Sequence, residues 1–238
     1  MAVEWSAWLL TPISGSAVHE IAAWASWHGR LMVLAWGIAL PLGVLAARFF
    51  KVTPRQDWPQ ALDNKLWWHA HRGLQWSAVL LMTAGAWLAW GQGRGVTAAA
   101  QWHAALGWTL LALGWLQAMG GLARGSKGGP TDALPRGDHY DMTRWRCVFE
   151  RLHKALGYAA LLAAVVAIVL GLWVADAPRW MWLGLGLWWT AWTAAFALLQ
   201  KRGRCIDTYQ AIWGPGLEHP GNRRPPIGWG VRRPPHES

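Results

Sequence analysis

Cysteine and charge are both scarce in this chain of 238 residues. It has two cysteines, Cys147 and Cys205, and no CxxCH motif. These absences exclude a disulfide framework and the covalent attachment of a c-type haem. Only 14% of the residues are charged, and no Lys- or Arg-rich segment precedes the first strong apolar run. We therefore expect no cleavable signal peptide.

Apolar and aromatic residues are abundant instead. The chain is 54% hydrophobic and contains 23 Trp, a residue that favours membrane–water interfaces. Its net charge of +10 is also a feature of proteins that bind nucleic acid. Here, however, the charge lies in the gaps between apolar runs, as it does in the loops of membrane proteins. We therefore expect contact with membrane lipid and none with nucleic acid.

Five apolar runs are each long enough to cross the hydrocarbon core as a helix. They predict an all-α integral membrane protein with spans at about 26–49, 66–90, 100–123, 151–174 and 179–200. Pro41 interrupts the first span, and a neighbouring group is expected to bond the carbonyl that it frees. Residues 1–25 are expected to be a partly helical interfacial segment outside the cytoplasm. Residues 26–200 form the membrane domain, and 201–238 a loosely ordered, basic, Pro- and Gly-rich tail.

The distribution of Lys and Arg predicts the orientation. Positive residues crowd the loop after the first span, the loop after the third span and the tail, whereas the opposite side has little more than Arg94 and Arg179. By the positive-inside rule, the N-terminus faces the periplasm and the tail the cytoplasm of a bacterial inner membrane. The two cysteines then lie in a reducing compartment as free thiols.

Histidines in the spans are the candidate functional residues, because an ionisable side chain inside a membrane is costly to bury. Helix reversal places His28 and His103 on one side, and His153 with either His71 or His69 on the other. Two facing histidines suit a b-type haem with two axial imidazoles. His19, His139, His219 and His236 lie outside the spans and are expected to be solvated.

Several neighbours of these histidines fit a bound porphyrin. Gly107 and Gly157 each lie four residues after a histidine, on its face of the helix, and leave room for the ring. Gln75, four after His71, offers a polar group at the haem edge. The cations expected to meet haem propionates are Arg30, Arg72 and Lys154.

A transporter that uses histidine to bind a metal ion or a proton is the alternative of another class. Such a pathway normally includes carboxylates or thiols, and the predicted spans contain none. Helix-packing glycines and interfacial histidines are the ordinary interpretation of each residue taken alone. The joint pattern of four spans, four histidines and two same-side pairs favours haem.

Four stretches resemble the cytochrome b561 family, in the form that follows a DOMON domain in larger proteins. They are HGRLMVLAWGIALPLGVLAARFFK, WWHAHRGLQ, HAALGWTLLALGWLQ and LHKALGYAALLAAVVAIVLGL, and they cover about residues 27–174. The resemblance implies a four-helix haem bundle plus one peripheral helix. It selects His71, four before the Gln of H-x-x-x-Q, as the ligand in the second span. It also implies two b haems, on His28/His103 and His71/His153, that pass electrons across a membrane.

The resemblance implies an oxidoreductase whose donor and acceptor remain open. The partners considered are a quinol, an ascorbate-like reductant and a periplasmic redox protein, and a homodimer is also open. Because no DOMON domain precedes the matching stretches, we expect the extracytoplasmic partner to be a separate protein or a small molecule. The basic ascorbate-binding motif of animal and plant members is not evident. The alternative within redox chemistry is a membrane-anchor subunit that exchanges electrons between quinone and a periplasmic partner.

Overall fold

The chain folds into helices joined by turns and loops, as seen in a computed structural model that describes residues 4–16, 20–93 and 95–234. No β-strand is present in those ranges. The short helices are α1 (Trp5–Leu10), α6 (Asp138–Asp141) and α9 (Thr208–Trp213), with a 3-10 turn at Pro220–Arg223. The long helices carry the apolar runs.

The first apolar run is one continuous helical stretch of three parts. These are α2 (Ala23–Met32), a π-helical segment (Val33–Ala39) and α3 (Leu40–Phe49). The other long helices are α4 (Leu66–Ala89), α5 (Ala98–Leu122), α7 (Arg144–Val174) and α8 (Arg179–Lys201). The prediction of an all-α integral membrane protein is confirmed.

Four helical stretches in the described part of the chain are long and apolar enough to cross a membrane. They are Ala23–Phe49, Ala98–Leu122, Arg144–Val174 and Arg179–Lys201. The remaining predicted span forms α4, a helix of 24 residues. That α4 also crosses the membrane, which makes five spans, stays a prediction. The division into segments 1–25, 26–200 and 201–238 also stays a prediction.

The π-helical segment has a local cause in Pro41. Proline lacks the N–H that would bond the carbonyl four residues earlier, which here belongs to Gly37. The indole Nε1 of Trp188 donates to the Gly37 carbonyl oxygen at 2.7 Å. The freed carbonyl is thus bonded by a neighbouring helix, as the sequence predicts, and the break in regular α-helical bonding is absorbed by the π-type turns.

The helix α7 begins seven residues before the predicted start of the fourth span. Arg144–Glu150, expected to belong to a polar loop, forms its first two turns. This placement puts Arg146, Glu150 and Lys154 at four-residue spacing, on one face of the helix. The early start of α7 thus puts these charged side chains on the helix that carries His153.

The tail is folded, and the expectation of a loosely ordered segment is wrong. Tyr209, Ile212 and Trp213 are each buried to 4% exposure or less. They form a small hydrophobic core with Met142, against which Tyr140, Cys147 and Ile227 pack. Composition was misleading because a few large apolar side chains suffice to fix a segment otherwise rich in Arg, Pro and Gly.

The chain divides into two compact units. The first unit comprises Met1–Pro41, Ser77–Trp115 and Ala159–Ala194, and the second Leu42–Trp76, Leu116–Tyr158 and Ala195–Ser238. The long helices α4, α5, α7 and α8 each contribute residues to both units. Every described buried charged side chain belongs to the second unit.

Candidate functional site

The first unit brings His28 and His103 together. His28 lies on α2 and His103 on α5, and each imidazole is partly buried. Their ring centroids are 6.0 Å apart and their planes lie at 81°. These two histidines are 75 residues apart in sequence, and the antiparallel course of successive helices is what places them side by side.

The second unit brings His71 and His153 together in the same way. His71 lies on α4 and His153 on α7, with ring centroids 6.3 Å apart and planes again at 81°. His69, the alternative in the second span, is an exposed residue. The geometry of the second pair is therefore nearly the same as that of the first.

Both pairs fit the axial positions of one haem iron. An imidazole nitrogen lies about 2.0 Å from a first-row metal ion, so two axial imidazoles with ring radii of about 1.1 Å have centroids roughly 6.2 Å apart. The two observed separations, 6.0 and 6.3 Å, bracket that value. No cluster of three or more His, Cys, Asp or Glu side chains suited to a metal ion occurs in the described ranges. The role of the four histidines as ligands stays a prediction.

Hydrogen bonds orient three of the four imidazoles. Nδ1 of His28 donates to the Gly85 carbonyl oxygen at 2.9 Å, and Nδ1 of His103 to that of Ala167 at 2.9 Å. In the second unit, Nδ1 of His71 donates to the Gly43 carbonyl oxygen at 3.0 Å. Since a carbonyl can only accept, each Nδ1 carries the proton, and a neutral ring then offers the Nε2 lone pair to a metal.

The fourth imidazole, that of His153, differs from the other three. Its Nδ1 is buried and has no hydrogen-bond partner among the residues that the structure describes. The ring instead stacks on Phe149, with centroids 5.1 Å apart and planes at 28°. The backbone carbonyl of His153 accepts a hydrogen bond from Nε2 of Gln117 at 2.8 Å. Packing thus holds this ring, whereas a hydrogen bond from Nδ1 holds each of the others.

The small and polar neighbours predicted around the haems lie in different settings. No atom lies within 4 Å of where a Cβ on Gly107 would be, so space is open beside the first pair. At Gly157 the same position is 3.2 Å from Nε2 of Gln117, which therefore shares that space. The amide of Gln75 packs directly against Gly43, the residue whose carbonyl orients His71. Cofactor contacts for these three residues stay predictions.

The three cations expected at haem propionates also differ in setting. The Arg30 guanidinium lies over the Trp27 ring at 5.0 Å, and Arg72 is exposed. Nζ of Lys154 contacts Glu150 Oε2 at 2.9 Å and donates to the Ile227 carbonyl oxygen at 2.8 Å. Their pairing with propionates stays a prediction, and Lys154 already has an anionic partner.

Sequence reasoning missed the backbone groups that orient the histidines. It also missed Gly171, where an added Cβ would lie 2.9 Å from Cε1 of His103, so the imidazole rests against the backbone of α7. A sequence signal for the acceptors does exist. Gly43, Gly85 and Ala167 follow His28, His71 and His153 by 15, 14 and 14 residues, and each bonds the histidine of a different helix. At the same distance after His103 stands Gln117.

His139, expected to be solvated, is buried, and that expectation is wrong. It is 3% exposed and packs on Trp213, with ring centroids 4.8 Å apart. Burial lowers the pKa of His139 to about 3; the Arg146 cation acts in the same direction and the Glu150 carboxylate opposes them. His219 is partly buried beside Tyr140. His19, His236 and Arg94 lie outside the described residues.

The fold and the paired imidazoles define a class: an integral membrane protein of helices, with two histidine pairs suited to axial ligation. Comparison with known proteins is more specific. The chain is 33% identical over 147 residues to ferric-chelate reductase 1 of Mus musculus, covering 61% of this chain and 22% of that protein. It is 25% identical over 166 residues to a cytochrome b561 and DOMON domain-containing protein of Arabidopsis thaliana, covering 67% and 34%. A DM13-containing protein of the same kind from that plant is 26% identical over 164 residues, with 69% and 16% covered.

These relatives confirm the resemblance to cytochrome b561 proteins. It spans about a sixth to a third of the length of the three relatives described. No family model matches the chain, and no solved structure matches it significantly. The names of these relatives are those of cytochrome b561 proteins and of a ferric-chelate reductase.

Proposed function

We propose that this chain holds two b-type haems, one on His28 and His103 and one on His71 and His153, and conducts electrons across a membrane. The observation that supports this most directly is the repeated geometry of the two pairs, with centroids 6.0 and 6.3 Å apart and both interplanar angles 81°. Each separation suits one iron between two imidazoles. Held there, the haem supplies a one-electron couple.

The residues of the chain favour electron transfer over chemistry at the metal. Two histidines would hold each iron, which would leave no coordination position for oxygen or substrate. Hydrogen bonds from Nδ1 fix three of the rings and stacking fixes the fourth. Rigid axial ligands favour fast one-electron exchange because little has to move when the charge changes.

The proposed orientation follows from the Lys and Arg distribution. Five spans place the N-terminus in the periplasm and the C-terminal segment in the cytoplasm of a bacterial inner membrane. The haem on His28 and His103 is then near the outer face, and the haem on His71 and His153 near the inner face.

The proposed donor is a quinol or an ascorbate-like reductant, and the proposed acceptor is outside the cytoplasm. Relatives named as ferric-chelate reductases make a ferric chelate one candidate acceptor. The second candidate function is that of a membrane-anchor subunit linking quinone to a periplasmic redox protein. Adding quinol to the protein in liposomes tests the anchor function, which requires quinol to reduce both haems. A protein that ascorbate reduces and quinol does not would contradict the anchor function.

Haem counting in histidine variants tests the proposal. We expect the purified protein to be red and to contain two haems per chain. His28→Ala and His103→Ala should each remove one haem, and His71→Ala and His153→Ala the other, with distinct α-band spectra for the haem that remains. The matched control is His69→Ala, an exposed histidine on α4, which should keep both.

Two results would contradict the proposal. If all four variants retained two haems per chain, the assignment of these histidines as haem ligands would be wrong. A colourless protein, purified from cells supplied with haem, would instead favour a transporter that uses its histidines for a metal ion or a proton.

A further inference from the structure

The two histidine pairs differ in the hydrogen bonds made by Nδ1, the imidazole nitrogen that would not coordinate a metal. In the first unit both Nδ1 atoms donate to backbone carbonyls, at 2.9 Å each. In the second unit only His71 does so, and Nδ1 of His153 has no acceptor in the described part of the chain. A hydrogen bond from Nδ1 makes the coordinating nitrogen a stronger electron donor, which stabilises ferric iron. The second pair would therefore stabilise a bound ferric iron less than the first.

A charge cluster adjoins the second pair; three of its side chains are buried, and that of Lys154 is 33% exposed. It consists of Arg146, Glu150, Lys154 and His139, and its centre is the Glu150 carboxylate, one helical turn before His153. Glu150 Oε1 is 3.1 Å from Nε of Arg146 and 3.3 Å from Nε2 of His139. Glu150 Oε2 is 2.9 Å from Nζ of Lys154.

The charge cluster is net positive. Two cations face one carboxylate, and His139 adds no charge near neutral pH because burial lowers its pKa to about 3. A further buried cation, Lys51, lies near enough to interact with Lys154. Burial lowers the pKa of Lys51 to about 8, so it is still mainly protonated at pH 7.

The first pair has no comparable charges. In the first unit the charged side chains that the structure describes are Glu4, Glu20, Arg30, Asp176 and Arg179, and none of them is buried. Charges at a wet surface are screened, whereas charges in a low-dielectric interior act over longer distances. The electrostatic difference between the two pairs thus arises almost entirely in the second unit.

We propose that the charge cluster and the missing hydrogen bond of His153 together give the haem on His71 and His153 the higher reduction potential of the two. Both features favour a reduced iron: net positive charge beside the pair would stabilise the added electron, and a less basic histidine ligand would stabilise ferric iron less. Electrons that enter the protein then settle on this haem. The inference rests on the proposed function, since it requires both haems.

Spectroelectrochemical titration of single-haem variants tests the order of the potentials. His103→Ala keeps the haem of the second pair, and His71→Ala that of the first. We expect the haem kept in His103→Ala to be reduced at the higher potential, and to match the first of two waves in the unaltered protein. Equal potentials, or the reverse order, would overturn the inference.

Charge variants in the His103→Ala background test the cause. Lys154→Gln should lower the potential and Glu150→Gln should raise it, because they remove opposite charges from the charge cluster. The matched control is Arg151→Gln, an exposed cation on the same helix, which should shift the potential much less than Lys154→Gln. Haem content and the α-band confirm that each variant is folded and loaded. Shifts of the same sign in Lys154→Gln and Glu150→Gln, or an equal shift in Arg151→Gln, would overturn the assigned cause.

Failure of the inference is distinguishable from failure of the proposed function. A protein with one haem, or none, per chain contradicts the proposed function and the inference together. Two haems with the reverse order of potentials contradict the inference alone.

Discussion

The two units hold their histidine pairs by different means. In the first unit, backbone carbonyls accept from both imidazoles, and no described charged side chain is buried. In the second unit, the His71 imidazole has such a bond and that of His153 stacks on Phe149. Ion pairs centred on the buried Glu150 lie one helical turn before His153. The same separation of the rings is thus reached once by backbone bonding and once with side-chain packing. Ligand geometry and electrostatic setting are therefore independent properties of such a site.

Gly171→Ala is expected to have the greatest effect, because it displaces His103 from the first histidine pair. In Gly171→Ala the new methyl group would lie 2.9 Å from the His103 ring, closer than carbon atoms pack, so the imidazole must move. We expect loss of the haem on His28 and His103, measured as one haem per chain instead of two. The matched control is Gly184→Ala on α8, where a methyl group meets no atom within 4 Å and both haems should remain. Two haems in Gly171→Ala would show that the ring has room to shift.

The next prediction concerns the charge cluster of the second unit, which Glu150→Ala disrupts. Glu150→Ala leaves the buried Arg146 without its carboxylate, and removing one partner of a buried ion pair costs about 3–5 kcal/mol of unfolding free energy. Denaturant unfolding in detergent micelles measures the change. As a control, Glu218→Ala removes a carboxylate that is 72% exposed, and should cost less than about 1 kcal/mol. Equal losses of unfolding free energy in the two variants would show that water solvates the charge cluster.

A smaller effect concerns pH and His139. The ordinary histidine pKa of the unfolded chain is 6.5, and burial lowers it to about 3 in the folded protein. Between these values the unfolded chain binds a proton that the folded protein does not, so stability falls as pH falls. From pH 7 to pH 5 the loss amounts to about 2 kcal/mol.

The pH effect is measured as the difference between the unaltered protein and His139→Gln. Unfolding free energies of both, at pH 7 and pH 5, should show the loss in the unaltered protein and a smaller one in the variant. A variant with the same pH dependence as the unaltered protein would mean that His139 is protonated without cost in the folded state.

The smallest effect concerns the first unit and its π-helical segment. Trp188→Phe removes the indole donor to the Gly37 carbonyl and leaves that buried acceptor unbonded, at a cost of about 1–3 kcal/mol. We expect the lower end of that range, because the phenyl ring still fills part of the space of the indole. Trp180→Phe, at a Trp that is 47% exposed, serves as the control. An unchanged unfolding midpoint in Trp188→Phe would mean that the carbonyl finds another donor.

The helices and the proximity of the histidines could be predicted from the sequence. Apolar length alone placed four of the long helices to within three residues, and helix reversal placed His28 near His103 and His71 near His153. The early start of α7 was missed because Arg144, Arg146 and Glu150 are polar, although their charges pair along one face of the helix.

The acceptors of the histidine hydrogen bonds could not be predicted in the same way. Any residue has a carbonyl, so the type of residue at Gly85 and Ala167 does not mark that role. Their similar spacing after a histidine acquires meaning only once the paired helices are seen. The burial of His139 was equally hidden, since it depends on Tyr209 and Trp213, some 70 residues further on. Long-range packing of a few aromatic rings leaves no local pattern in a sequence.

The folded C-terminal segment has a practical consequence for shortened versions of this protein. Its backbone carbonyls at Ile206, Ile227 and Trp229 accept from Lys51, Lys154 and Arg48. A version truncated just after α8 would keep these cations and lose the oxygens that solvate them. Trimming to the apolar helices is therefore expected to yield aggregated material, even though every candidate haem ligand is retained.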